Sequence, residues 1–161
     1  MNITEAPIEP NIAELLPGAA KEGADLVGVS VDDQPAEIIQ AINDFLAKPP
    51  KKRWFRKVDN WNDRAMPLGA LWGMQMVRHF DWEWVGVIQH DFDDLKAIGV
   101  FDKKRSLGVY PFHFVYGCVQ NGAYPTILLA FNMLSAGEIP AFDERAYQNL
   151  MDGVQHIVPP A

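Results

Sequence analysis

The sequence predicts an α+β domain in which a small antiparallel β-meander of about three strands packs with about five helices. Three observations carry this. Residues 35–47 place apolar side chains at helical spacing. Residues 82–89 switch to a run of β formers. Two further short strands follow on links of a few residues, which suit antiparallel neighbours because parallel pairs need long crossovers. Helices before and after such a sheet make the segregated α+β class.

Residues 1–10, with Pro7, Pro10 and no periodicity, read as a flexible tail. Residues 11–161 read as one domain, long enough to bury a core without a disulfide or metal staple. A short helix from Asn11 is interrupted by Pro17-Gly18. Asp32 or Asp33 suits an N-cap, with Pro35 in the first turn. Ile38, Ile39, Ile42, Phe45 and Leu46 then share one face, and Pro49-Pro50 ends the helix. A second helix covers 62–80, with Pro67 in or near its first turn. It is apolar nearly all round, and Arg64, Gln75, Arg78 and His79 form one narrow polar stripe.

Strands are predicted over 82–89, 96–101 and 106–110, with 102–105 as a hairpin loop. Pro111 opens another helix, carried inward by Phe112, Val115, Tyr116 and Val119 and capped by Asn121-Gly122. Residues 126–134 fit a helix ended by Gly137 or a buried strand. Asp143 caps a last helix with Tyr147, Leu150, Met151 and Val154 inward.

Charge falls in blocks. The chain carries −7, but residues 1–47 hold −8, residues 48–57 hold +6 with no acid, and the remainder holds −5. Acidity of this order makes nucleic acid an unfavoured partner for the body of the protein. The exception is Lys51-Lys-Arg-Trp-Phe-Arg-Lys57, where Arg53 and Arg56 bracket Trp54 and Phe55. Bases around stacking rings are the chemistry of single-strand binding. The same block also reads as a solvated linker anchored by its rings, or as a partner for the acidic arm.

The termini show no secretory pattern, and the apolar stretches are too short to span a bilayer, so a cytoplasmic protein without membrane contact is expected. The one cysteine, Cys118, lies in an apolar helix and reads as an inert thiol. His90-Asp-Phe-Asp-Asp94 resembles a cation loop in composition but lacks the glycine and glutamate of a calcium site. It reads as an acidic turn, and no metal or cofactor is implied. His79 near Asp81, and His156 near the C-terminus, suit helix ends. His113, on a face with Gly117 and Gln120, is placed to line a cleft. Ser30, Ser106 and Ser135 lie in no nucleophile elbow. Gly69-Ala-Leu-Trp-Gly73 has the spacing that lets another element approach closely.

Arg64, the Leu68–Gly73 run, Trp82-Glu-Trp84, Tyr110-Pro-Phe112 and Thr126-Ile-Leu-Leu-Ala-Phe-Asn-Met133 together resemble small bacterial domains of uncharacterised function, and some proteins of this size and acidity act as immunity proteins beside secreted toxins. The resemblance covers roughly residues 58–135 and transfers no catalytic residue. It implies a non-catalytic module that binds a protein partner, with toxin neutralisation as its sharpest version. The acidic surface would steer association with a basic enzyme. The alternative is a small-molecule site or enzyme for an anionic ligand, using Arg64, Arg78 and His79 on the polar stripe with Trp72 or Trp84 and Tyr110 as apolar walls.

Overall fold

The structure, a computed structural model, describes residues 2–48 and 61–155, with side chains for all of these but 61–63 and 155. The basic block with Arg53, Trp54 and Arg56 lies outside the described residues, as does His156.

The chain runs β1 (Ile3–Ala6), α1 (Pro10–Val27), α2 (Pro35–Ala47), α3 (Trp61–Phe80), β2 (Glu83–Gln89), β3 (Leu95–Phe101), β4 (Leu107–Val109), α4 (Pro111–Asn121), α5 (Ile127–Ser135), β5 (Gln148–Asn149) and α6 (Leu150–Gln155). The α+β class holds, with a sheet wider than the expected meander. The strand order is β1-β2-β3-β4-β5. β1 to β4 are antiparallel to their neighbours, whereas β5 lies parallel to β4.

Four expectations are corrected, and a fifth, the place of Pro67, goes with the second of them. Residues 3–6 are no tail: they form an edge strand on β2, from Ile3 opposite Gln89 to Ala6 opposite Gly86. Four residues are too few to show a period, and the pairing lies more than eighty positions away. Pro17-Gly18 does not interrupt α1. Both sit on the solvent side, while Leu16, Ala20, Gly23 and Ala24 keep a buried row at helical spacing. That row is built of small residues because α1 lies very close to α3; a Cβ on Gly23 would stand 2.4 Å from the Pro67 carbonyl oxygen. Pro67 is accordingly buried within α3, beyond its first turn. The N-cap of α2 is Gln34, without a side-chain bond, because the Asp33 carboxylate accepts the Ser30 N–H at 2.9 Å instead.

The fourth correction concerns the last helix, which starts at Leu150 and not near Asp143. The chain before it is held by the β3–β4 hairpin. Arg145, Tyr147 and Gln148 donate their backbone N–H groups to the carbonyls of Lys104, Arg105 and Ser106. Arg145 and Tyr147 adopt positive φ, 63° and 47°, which no helix accommodates.

The remaining elements follow the sequence closely, except that Tyr116, expected inward on α4, is exposed. Residues 127–135 are helical, which settles the choice left by their composition. Gly122 at φ 66° closes α4 in the left-handed conformation that glycine adopts without a Cβ penalty. The main core lies between the helices and one face of the sheet. Leu68, Leu71, Trp72 and Met76 of α3 pack there with Ile38, Ile39 and Ile42 of α2. The other sheet face carries a smaller cluster, Val85, Val87, Ala97, Phe101, Tyr110 and Tyr147.

Candidate functional site

β4 pairs with β3 only at Val100 and Phe101. The first half of β3 has β2 on one side and no described strand on the other, and α4 packs there instead. Two cavities open beside this free edge. Side chains alternate across a strand, so Gly86, Lys96 and Ile98 face one side of the sheet, and Gln89, Leu95 and Ala97 the other. The first cavity, about 400 Å³, uses the former set with Ile8, Met66 and Phe112. The second, about 340 Å³, uses the latter with Tyr110, Tyr147 and Asp152. Ala97 and His113 line both, so His113 stands at the junction.

The two cavities differ in chemistry. The first is walled by aliphatic side chains and by Phe112, with Glu9 and Lys96 as its charges. The second has Phe92, Phe114, Tyr110 and Tyr147 around it, and Gln89, Asn149 and Asp152 as polar groups. Its rim is apolar and open to water, with Phe92 59% and Leu95 45% exposed.

Tyr110 is held by packing. Its ring meets Phe101 edge-on at 5.6 Å and His113 at 6.4 Å. The side chain is 8% exposed, and its hydroxyl makes no hydrogen bond by distance and angle. Burial raises the phenol pKa; Gln89 lowers it without reaching bonding geometry, and Asp152 adds to the rise. A buried hydroxyl without a partner is uncommon and calls for a reason. His113 is an exposed residue, yet the protein around it lowers its pKa by desolvation, which favours the neutral ring.

No protein-family model matches the chain, and no curated protein or solved structure is detectably similar to it.

The structure brings Tyr110 and His113 together and separates them from the polar stripe of α3, which neither cavity uses. Arg78 donates to the carbonyls of Val31 and Asp33 and, at 2.6 Å, to Gln75 Oε1. It ties α3 to the α1–α2 connection. Gln75 is fully buried and donates to Leu71 O at 3.0 Å, so it lies in the core and not on a stripe open to water. Arg64 sits over the Phe45 ring at 5.8 Å, and His79 packs on Phe80 and Phe131.

The acidic turn after β2 is also occupied by local bonds. Asp91 accepts the Asn2 N–H at 2.8 Å, while His90 lies between Thr4 and Asp94. Among the described residues, no three His, Cys, Asp or Glu side chains gather as a metal site would need. Cys118 is buried and its thiol is pushed up to about 12 by desolvation. No described helix is long and apolar enough to cross a membrane.

Sequence reasoning missed Asp152, Gln89 and Phe92 as site residues. Gln89 and Phe92 read as strand end and turn, and Asp152 lies in the last helix with no role read for it. Only the return of β5 and α6 to the sheet brings them together.

Proposed function

We propose that the chain is a non-catalytic binding module that recognises a basic protein partner across the groove at His113, and that toxin neutralisation of the immunity-protein kind is the sharpest form of this role. One observation carries the reading: two cavities meet at His113 beside an exposed apolar rim, Phe92 and Leu95, set within Asp91, Asp93 and Asp94. Apolar anchors inside a charged border are the anatomy of a recognition surface. Carboxylates on the border speed encounter with a basic surface and disfavour acidic ones.

Co-expression with the products of the genes adjacent to its own tests this. A stable complex that the Phe92→Ser, Leu95→Ser double variant abolishes supports the reading. A complex indifferent to those substitutions, or no complex with any neighbouring product, overturns it.

A further inference from the structure

The second cavity gathers groups that share one ligand chemistry. Asp152 accepts from Asn149 Nδ2 at 3.2 Å through Oδ1, and its Oδ2 carries no bond among the described residues. The Tyr110 hydroxyl, buried and without a partner, feels the Asp152 charge across the same cavity. Gln89 adds a side-chain amide. Phe92, Phe114 and Tyr147 supply aromatic surface around these oxygens. Arg105, one of two bases among the described residues whose charge reaches Tyr147, is bound to Glu5 and Glu83.

We infer that this cavity receives a guanidinium group, the arginine side chain of the basic partner, with Asp152 and Tyr110 as its acceptors and the rings as its stacking surface. The inference rests on the docking reading above and names its anchor. A cation is favoured over an anion because the lining holds a carboxylate and no Lys or Arg. Aromatic faces attract cations. A guanidinium is favoured over an ammonium because its planar fork serves several separated acceptors at once, stacks on rings and is weakly hydrated. The orphan phenol then has its explanation: its lone pair is satisfied only when the donor arrives. Asp152 is exposed while the Tyr110 hydroxyl is buried, and both line the same cavity.

The test titrates the full chain with Nα-acetyl-arginine methylamide, followed by amide NMR. Saturable shifts at Tyr147, Asn149 and Met151 are expected. Asp152→Asn should weaken binding by about tenfold or more, as loss of a charged hydrogen bond does. Tyr110→Phe should weaken binding severalfold while leaving thermal stability unchanged or higher, since its hydroxyl has no bond to lose; a purely structural role would instead lower stability. The neutral isostere n-propylurea should not bind. Equal or tighter binding of n-butylammonium overturns the guanidinium assignment, and absence of saturable shifts overturns the site. If the arginine derivative fails while a partner complex still depends on Phe92 and Leu95, the cation site is refuted and the docking reading stands. Loss of both refutes the two together.

Discussion

Trp84 and Phe112 stack at 5.7 Å between ring centroids, 18° from parallel, in a notch cut into α3 by two glycines. A Cβ on Gly73 would lie 2.2 Å from Trp84 Cη2, and one on Gly69 would lie 2.5 Å from Phe112 Cδ1. The Gly-x-x-x-Gly spacing thus seats a strand side chain and a helix side chain against one helix. It also fixes the start of α4, and with it Tyr110 and His113.

Gly73→Ala should therefore cost about 1–3 kcal/mol, since the ring of Trp84 must move to admit the methyl. Gly117→Ala in α4 meets nothing within 4 Å, so it should stabilise by about 0.5–1 kcal/mol through helix propensity. Urea unfolding followed by tryptophan fluorescence measures both. Equal effects of the same sign would contradict the notch.

Arg105 binds Glu5 and Glu83, each at 2.8 Å, and holds the edge strand β1 to the hairpin. Burial of Glu5 raises its pKa, but hydrogen bonds from Arg105 and Tyr147 and the charges of Arg105 and Arg145 outweigh this and leave it below 4.5. A depressed carboxyl stabilises the fold above its unfolded pKa, and the stabilisation is lost as pH falls through the folded value. Arg105→Met should cost about 1–2 kcal/mol at neutral pH. It should also flatten the loss of stability below pH 4.5, read from melting temperature against pH.

Arg78→Ala should leave the buried Gln75 carbonyl oxygen without its Arg78 donor, which costs about 1–3 kcal/mol. Adding Gln75→Met should recover much of that loss, because an apolar side chain of similar size needs no partner. A double-mutant cycle by denaturant unfolding measures the coupling.

His113 titrates below 6.5 because desolvation disfavours the imidazolium. Glu9 and Lys96 face it across the first cavity, and Tyr110 and Asp152 across the second. The unfolded chain binds the proton first, so this contribution to stability is complete above pH 6.5 and declines as pH falls toward the folded pKa. The imidazole proton shift in NMR gives the midpoint; a value above 6.5 would contradict the desolvated junction.

Cys118, buried and with its thiol at about 12, should resist iodoacetamide in the native protein at pH 8 and react fully in denaturant. Mass spectrometry of both states reads this directly. Native labelling at the denatured rate would show the thiol to be open.

The α+β class, the β3–β4 hairpin and the bounds of α2, α3 and α4 could all be read from the chain before folding. These rest on local periodicity, caps and turn residues, which act within one turn or one hairpin. The sequence set Tyr110 beside the polar stripe of α3 and His113 at a cleft of its own, whereas the fold puts the two rings 6.4 Å apart and the stripe elsewhere. It could not decide that residues 3–6 are a strand, since β1 exists through pairing with β2. Nor could it show that α1 passes through Pro17: its buried row of Ala and Gly is legible only when α3 is seen against it. The polar stripe of α3 read as a ligand site because periodicity shows which residues share a face, not what meets that face. Tertiary structure joined Arg78 to the carbonyls of Val31 and Asp33 and brought Asp152 to Tyr110. Both are contacts between distant segments, and in each the decisive partner is chosen by how the chain packs, not by its neighbours in sequence.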